Sequence, residues 1–274
     1  MIGGGIDAGS RAMKVVLMDA GEGRLIAAGH ADQIPDQARL AEELFEETAA
    51  KAGLAPKDIG RIVGTGYGRQ LITRADTTVT EITCQARGVQ SLVPEVRSIV
   101  DIGGQDSKVI FLDGRGVRDF AMNDRCAAGT GQYLEMTARR LNVSLPEMGH
   151  LASFSRRPAV INSMCAVFAE SEIVSLLASG AGTEDIAAGV FLSIAKRIAS
   201  LAGMRLQPPA VFTGGAALIP GMDKFLAEAL GRTLTVAPDP RMTAARGAAL
   251  IACEQMRSAK PACQGTSLRL ATRP

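Results

Sequence analysis

The 274-residue sequence has no tryptophan, two tyrosines and two histidines, and aromatic residues make up 4% of it. With His30 and His150 as its only histidines, the chain is not expected to build a histidine-rich metal site. No apolar run approaches the ~20 residues that span a bilayer, so no membrane segment is predicted. The start, MIGGGIDAGS, lacks the pattern of a signal peptide, and we expect a cytoplasmic protein with reduced thiols.

The sequence also has no strong excess of positive or negative residues. The formal net charge is +2, with 21% charged and 47% hydrophobic residues. This balance gives no reason to expect a nucleic acid or an anionic membrane as partner. The length and composition fit a soluble globular protein of one large domain or two smaller ones.

Cysteine is scarce, and its spacing excludes the common frameworks. The count is odd, which argues against a disulfide framework in a reducing compartment, and neither a CxxC pair nor a C-x2-C-x2-C run occurs. Three of the cysteines are interpreted as small buried hydrophobic residues, namely Cys84, Cys253 and Cys263. The other two, Cys126 and Cys165, stand in distinctive surroundings that are considered below.

Two familiar nucleotide motifs are absent, but an internal repeat is present. The chain has no GxxxxGK[ST], which argues against a P-loop, and no GxGxxG after its first strand, which argues against a Rossmann site. Residues 6–19 read IDAGSRAMKVVLMD and residues 100–113 read VDIGGQDSKVIFLD. Such a repeat predicts two copies of one structural unit. The matched residues are Asp7 with Asp101, Gly9 with Gly103, Lys14 with Lys108, and Asp19 with Asp113.

Each copy predicts a β-hairpin with a glycine-rich tip. An apolar strand ends in Asp, a glycine turn follows, and a β-branched strand returns. Backbone amides at such a tip can converge on phosphate oxygens, and an Asp at the strand end can hold Mg²⁺ directly or through water. For Lys14 and Lys108 two interpretations remain open, as phosphate partners or as solvated strand residues.

A third glycine signal lies at residues 209–221, PAVFTGGAALIPG. It predicts a strand at Ala210–Thr213, a turn at Gly214 and Gly215, and a helix over about 219–230. Glycines where a strand becomes a helix allow a base or sugar to approach closely. A later segment, ARGAALIACEQM, predicts a terminal helix with Gly247 at a close packing point.

The remaining pattern predicts a mixed α/β chain. Strands are predicted at 59–64 and leading into Asp101, and the polar tail 258–274 is expected to be loose. Helices are predicted over 36–53, about 80–93, 129–142, 167–179 and 183–204.

The two hairpins, the glycine junction and the terminal helix together resemble the ATPase fold shared by actin, the heat-shock chaperones and sugar kinases. The resemblance implies two duplicated α/β halves around a nucleotide cleft, with the hairpin tips clamping the phosphates. We expect a first half at 1–96, completed by a C-terminal helix at about 243–257. The second half is expected at 97–242, carrying Cys126 and Cys165.

Cys126 and Cys165 each precede a predicted helix. The free amides and the dipole of a helix N-terminus stabilise a thiolate, the form that binds metal. Two thiolates do not complete the four ligands of an iron–sulfur cluster, but a twofold dimer would supply four. Two buried thiols are the alternative that the spacing leaves open.

The segments GTGYGR, DIGGQDSKVI, NDRCAAGTGQYLE and CAVFAESE resemble the activators of 2-hydroxyacyl-CoA dehydratases, a group that includes the ATP-hydrolysing subunits of benzoyl-CoA reductases. The resemblance runs from about residue 3 to 254. It implies a homodimer with one [4Fe-4S] cluster at its interface, held by Cys126 and Cys165 of each chain. ATP hydrolysis would then drive one electron at low potential from a ferredoxin or flavodoxin to an acyl-CoA dehydratase or reductase.

Site residues follow from the repeat and from this resemblance. Gln105 or Asp106 is expected to orient the attacking water, and Arg241 to lie on the adenosine side. Asp7 and Asp101 match acidic positions near Mg²⁺. The other expected nucleotide contacts are Gly9, Ser10, Arg11, Ala12, Met13, Lys14, Gly103, Gly104, Thr213, Gly214 and Gly215.

The first tip departs from the family pattern, because SRAMK has Arg11 and Met13 where small hydroxyl residues are usual. Three alternatives are also kept: a benzoyl-CoA reductase ATPase subunit pairing two related chains, a small-molecule kinase of the same fold, and an actin-like scaffold that binds ATP to assemble. The sequence does not name the electron acceptor or its acyl-CoA.

Overall fold

The computed structural model describes residues 1–162 and 165–258. The predicted loose tail lies outside the described residues except for Ser258, which ends a helix, and Cys263 lies outside them as well. Cys84 and Cys253 are buried, which confirms their interpretation as core residues.

The first repeat folds as predicted, within a five-stranded sheet of order β3-β2-β1-β4-β5. Strands β1 (Ile2–Ala8), β2 (Ala12–Asp19) and β3 (Leu25–Asp32) run antiparallel in succession. Strand β4 (Ile59–Thr65) pairs parallel with β1, and the short β5 (Thr77–Thr78) lies at the edge. Helix α1 (Gln37–Lys51) packs on this sheet through an apolar face that includes Leu44 and Phe45.

The second repeat builds a sheet of the same design, in the order β10-β9-β6-β7-β8. Strands β6 (Ser98–Ile102), β7 (Ser107–Asp113) and β8 (Gly116–Asn123) are antiparallel in succession, and β9 (Ala210–Thr213) is parallel to β6. Strand β10 (Leu234–Val236) closes the edge. Since Asp7 faces Lys14 and Asp101 faces Lys108 in equivalent registers, the predicted duplication is confirmed.

Apart from α4, the remaining helices lie close to their predicted positions. The helices after α1 are α2 (Glu81–Gln90), α3 (Gly131–Leu141), α4 (Leu145–Phe154), α5 (Ala166–Ala178), α6 (Thr183–Ala202), α7 (Met222–Leu230) and α8 (Thr243–Ser258). The sequence patterns did not predict α4, β3, β5, β8 and β10. Both β3 and β8 are largely exposed or half-buried, so their sequences lack the apolar character of the buried strands.

Helices α2 and α8 pack closely between the two sheets. A Cβ at Gly247 would lie 1.7 Å from the carbonyl oxygen of Cys84, and a Cβ at Gly88 would lie 1.8 Å from that of Thr243. Helix α8 also contacts β1, where a Cβ at Gly5 would lie 2.1 Å from the carbonyl oxygen of Ala245. The predicted close packing at Gly247 is therefore confirmed, and the last helix returns to the first sheet.

The larger hydrophobic core belongs to the second sheet, and α6 runs through it. Val190, Phe191 and Ile194 on this helix are fully buried. The segment Thr183–Arg205 is long and apolar enough to cross a membrane by length and composition, and 56% of its apolar window is buried inside the protein. Packing in the core accounts for the apolar character of this helix.

Candidate functional site

The two hairpin tips face a common cavity of about 350 Å³. Residues 9–12 at the first tip and residues 103–106 at the second line it, together with the turn at Gly214 and Gly215. This volume lies in the range of small-molecule sites. The cavity therefore lies where the repeat and the glycine junction predicted a ligand.

Under the first tip, Lys14 and Asp7 form an ion pair of 2.9 Å between Nζ and Oδ2. Burial opposes the charge on Lys14, but the attraction and hydrogen bond of Asp7, together with the charges of Glu81 and Asp101, raise the pKa of Lys14. The other carboxylate oxygen of Asp7, Oδ1, is buried and has no hydrogen-bond partner in the protein. A buried anionic oxygen of this kind favours a cation or a water molecule as its partner.

Under the second tip, Lys108 is shared by three carboxylates. Its Nζ lies 2.8 Å from Glu81 Oε1, 2.8 Å from Asp106 Oδ2 and 3.5 Å from Asp101 Oδ2, and its side chain is 2% exposed. Burial opposes the charge, but these three neighbours raise the pKa of Lys108. Burial raises the pKa of Glu81 to about 7, with Lys108 opposing the rise. Lys108 is buried and Lys14 is half-buried, and each is held in an ion pair, so neither is a freely solvated strand residue.

A buried polar network fixes the other side of Asp101. Gln85 on α2 donates to Thr213 Oγ1 at 2.6 Å and to Asp101 Oδ1 at 3.3 Å. Thr213 Oγ1 lies 3.0 Å from the same Asp101 oxygen, and Thr243 donates to Gln85 Oε1 at 3.0 Å. Asp101 is thus held between this network and Lys108, with its carboxylate at the cavity wall.

Helix α3 is attached to the second tip by its backbone. The amide of Gly131 donates to the carbonyl of Gly103 at 2.8 Å, and the amide of Gln132 donates to that of Gly104 at 2.9 Å. These are two of the first four amides of the helix, which have no partner within it. A displacement of the tip would therefore be passed directly to the start of α3.

Cys126 lies on the turn that immediately precedes α3. The side chain of Asn123 forms two hydrogen bonds with the backbone of Cys126. Its Nδ2 donates to the Cys126 carbonyl at 2.9 Å, and its Oδ1 accepts from the Cys126 amide at 3.1 Å. Asn123 itself pairs with Ser107, the residue that follows the second tip. Cys126 is half-buried against the core, and Cys165, directly ahead of α5, is exposed. No disulfide joins the four cysteines within the described ranges.

Most of the predicted site residues line the cavity. They are Asp7, Gly9, Ser10, Arg11, Ala12, Lys14, Asp101, Gly103, Gly104, Gln105, Asp106, Gly214, Gly215 and Arg241. Met13 is instead fully buried in the core of the first sheet, and Thr213 lies behind Asp101 in the polar network. The nucleotide contact expected of each residue stays a prediction.

Sequence reasoning missed several lining residues, including Glu81, Gln85 and Glu135. Each belongs to a helix that the sequence predicted, but no local motif separates these side chains from ordinary helix-surface residues. For Glu81, in the first turn of α2, and for the buried Gln85, the sequence predicted only that they belong to a helix. Their role follows from which residues the fold brings opposite them.

The charges around the cavity bear on which ligand it can hold. Seven carboxylate side chains line the cavity, compared with three basic side chains. A triphosphate in such surroundings requires a divalent cation to offset the repulsion. Across residues 1–162 and 165–258, no group of three or more histidine, cysteine or carboxylate side chains is arranged to hold a metal ion by itself. The residues present fit Mg²⁺ held by one or two carboxylates and by the phosphates of a nucleotide.

The duplicated sheets and the glycine-tipped cleft between them define the ATPase fold shared by actin and sugar kinases. A hexokinase of the ROK type from Thermus thermophilus has this fold, with a TM-score of 0.52 at 18% identity over 94% of this chain and all of that one. Residues 5–252 match the BadF/BadG/BcrA/BcrD ATPase family, and the chain belongs to that family.

Relatives with assigned roles cover nearly the whole chain. The 2-hydroxyisocaproyl-CoA dehydratase activator of Clostridioides difficile is 40% identical over 93% of this chain and 96% of its own. The activator of lactoyl-CoA dehydratase of Anaerotignum propionicum is 42% identical over 91% and 96%. A benzoyl-CoA reductase subunit of Thauera aromatica is 35% identical over 90% and 91%.

A solved structure agrees with these relatives. The activator of the 2-hydroxyisocaproyl-CoA dehydratase from Clostridium difficile, with bound ADPNP, superposes with a TM-score of 0.90 at 38% identity. The match covers 97% of this chain and all of that structure. The expected resemblance to the dehydratase activators and the expected fold are confirmed.

Proposed function

We propose that the protein is an ATP-dependent electron-transfer activator, a homodimer with one [4Fe-4S] cluster that hydrolyses ATP to pass one electron to a 2-hydroxyacyl-CoA dehydratase or a related reductase. A ferredoxin or flavodoxin would be the electron donor, in the cytoplasm. The division into halves at 1–96 with 243–257 and at 97–242 belongs to the same proposal, because each half contains one copy of the hairpin.

The nucleotide would bind in the cavity between the tips. The glycine turns bring backbone amides to the phosphates, and the buried Oδ1 of Asp7 offers a ligand to Mg²⁺ or to its water. Arg241 and the turn at Gly214 and Gly215 would lie along the adenosine. Asp106 is tied to Lys108, whereas Gln105 is exposed at the second tip, so Gln105 is the better placed of the two to orient water.

The observation that carries the proposal is the attachment of α3 to the second tip through Gly103 and Gly104. The same tip continues into Ser107, which pairs with Asn123, and the side chain of Asn123 is hydrogen-bonded to the backbone of Cys126. The turn bearing Cys126 is thus tied to the phosphate site on both sides. Nucleotide states that hold the tip differently would shift this turn, provided that they bind the two arrangements with different affinity.

The cysteines fit half of a cluster site. Cys165 stands one residue ahead of α5, and Cys126 precedes the short 3₁₀ turn Ala127–Gly129 that leads into α3. When bound, the cluster would supply one-electron transfer. Beside Cys165, Val167 is 69% exposed and Phe168 is 70% exposed. These two side chains support a second copy of the chain as the source of the remaining two thiolates.

The test is iron and acid-labile sulfide per chain, measured with the oligomeric mass on anaerobically prepared protein. About four irons per dimer are expected from one cluster with four thiolate ligands. Cys126→Ala and Cys165→Ala should each remove the iron and leave ADPNP binding intact. Cys253→Ala is the matched control, since Cys253 is buried between α8 and β2 and should leave the iron content unchanged. A full cluster in Cys126→Ala would refute the assignment.

A second candidate is the ATPase subunit of a benzoyl-CoA reductase, which the likeness to the Thauera protein favours. This alternative requires pairing with a related but different chain. Co-expression with candidate partner chains, followed by mass measurement of the complex, separates it from the homodimer. A preparation that contains no iron and phosphorylates an added sugar or acid would instead favour the small-molecule kinase.

A further inference from the structure

The first tip contacts α3 through an ion pair. Arg11 Nε lies 2.8 Å from Glu135 Oε1, between residues far apart in the sequence, and both side chains line the cavity. The hydrogen bond from Arg11 to Glu135, reinforced by the attraction between their charges, raises the pKa of Arg11. Glu135 belongs to the helix whose amides already hold the second tip. One helix therefore contacts both tips.

Arg11 also lies against the second tip. A Cβ at Gly104 would come within 2.6 Å of Arg11 Cβ and 3.4 Å of Ser10 Oγ, so the glycine makes room for the arginine. The base of the Arg11 side chain thus lies against the second tip, and its guanidinium reaches Glu135 at the cavity. Its five N–H donors form a planar fork, so the Nε edge can serve Glu135 while the terminal groups donate to an anion.

A long side chain loses rotamer freedom when it binds a ligand, and that loss weakens binding. The side chain of Arg11 is 56% exposed, so in isolation it would sample many rotamers. The contact with Glu135 holds the guanidinium at the cavity before any ligand arrives. This arrangement reduces the cost of ordering Arg11 when it meets a phosphate.

We propose that Glu135 is a positioning residue, which orients Arg11 toward the terminal phosphates of a nucleotide bound between the tips. The inference rests on the proposed nucleotide site and adds to it a residue with no assigned role. It also makes α3, which follows the Cys126 turn, part of the phosphate site through a side chain as well as through its amides.

The rival explanation is that Glu135 acts only as a negative charge that repels phosphate. The two explanations predict opposite effects for Glu135→Gln, and a double-mutant cycle with Arg11→Gln separates them. If Glu135 acts through Arg11, its removal weakens binding when Arg11 is present and has no such effect when Arg11 is absent. If it acts as a bare charge, its removal strengthens binding in both backgrounds.

The experiment is calorimetric titration of the full chain with ADPNP and Mg²⁺ for the wild type, Glu135→Gln, Arg11→Gln and the double variant. The expected result is an increase of about two- to tenfold in Kd for Glu135→Gln, the cost of ordering one long side chain. No increase is expected on adding Glu135→Gln to Arg11→Gln. Glu135→Asp, which keeps the charge, should recover much of the loss.

Glu43→Gln is the matched control, because Glu43 forms an equivalent 2.8 Å pair with Arg39 on the exposed face of α1. Tighter binding by Glu135→Gln, equal losses in both backgrounds, or no change in either would overturn the inference and leave the nucleotide site standing. A wild-type protein that does not bind ADPNP would overturn the proposed function together with the inference.

Discussion

Glu81 and Lys108 form an ion pair of 2.8 Å across the base of the second tip, one from the first turn of α2 and the other from β7. Burial is the main reason that the pKa of Glu81 rises from 4.5 to about 7. Asp7, Asp101 and Asp106 add to the rise, and Lys108 opposes it. The carboxyl is therefore only partly ionised at neutral pH, beside a lysine that remains charged.

This relationship predicts a stability that depends on pH. The folded state binds the proton of Glu81 more tightly than the unfolded state, so its stabilising effect is full below about pH 4.5 and is lost as pH rises to about 7. The loss is on the order of 1–3 kcal/mol. In urea unfolding at several pH values, the free energy of unfolding should fall less steeply with pH over this window for Glu81→Gln than for the wild type. Glu43→Gln, at an exposed position, should keep the pH dependence of the wild type. A free energy of unfolding that changes with pH equally in Glu81→Gln and in the wild type would contradict the prediction.

The second prediction compares the two lysines of the hairpins, Lys108 and Lys14. Lys108→Met leaves three carboxylates without their shared cation, so we expect a loss of about 3–5 kcal/mol in the free energy of unfolding. Lys14→Met should cost less, because Asp7 is its one ion-pair partner among the described residues. Lys51→Met, in an exposed pair on α1, should change stability by less than ~0.5 kcal/mol. Equal costs for Lys108→Met and Lys14→Met in urea unfolding would show that the shared arrangement is unimportant.

The third prediction concerns the contact between α2 and α8. Gly247→Ala places a methyl group 1.7 Å from the carbonyl oxygen of Cys84, so the helices must separate. Although alanine favours a helix over glycine by ~1 kcal/mol, the protein should lose about 2–3 kcal/mol or more. Thermal unfolding would measure the change. Gly114→Ala, at a turn where a Cβ meets nothing within 4 Å, is the control and should be near neutral. A stabilised Gly247→Ala would contradict the packing.

The fourth prediction tests the surface beside Cys165. Burying Phe168 at a dimer interface contributes about 1.5–3 kcal/mol per copy, so Phe168→Glu should raise the dimer Kd by ~10²-fold or more. Its iron content should fall, while binding of ADPNP by the monomer should persist. Met204→Glu, at the most exposed large apolar side chain of the described residues, is the control. Sedimentation at several protein concentrations would measure the dimer Kd of both variants. A Phe168→Glu variant that dimerises as tightly as the wild type would exclude α5 from the interface.

Much of the fold could be predicted because its signals are local. The hairpin tips are short glycine turns between apolar strands, and strand Ala210–Thr213 was predicted residue for residue. Helix ends were placed within a few residues, but the structure between Gly214, Gly215 and the next helix was not predicted. There, a short 3₁₀ turn from Gly215 to Leu218 separates β9 from α7, which begins at Met222. Strand β8 was missed, because it lies at the edge of its sheet and most of its residues are exposed or half-buried.

The candidate site was predicted in part. The tips were recognised because the two copies confirm each other, and a turn can be inferred from a few neighbouring residues. Met13 was grouped with the tip, but the alternation of side chains along a strand turns it into the core. Gln85 and Glu135 were not found, because their partners lie on other elements.

Local sequence specifies the duplicated hairpins, the order of strands and helices, and the two cysteines that precede helices, since each depends on residues within a few positions. Tertiary packing specifies which side chains meet: Lys108 with Glu81, Arg11 with Glu135, and the amides of α3 with the second tip. Such contacts join distant segments, and their geometry follows from how whole elements pack. The chemistry of the cleft therefore rests on local turns that are visible in the sequence and on long-range neighbours that are not.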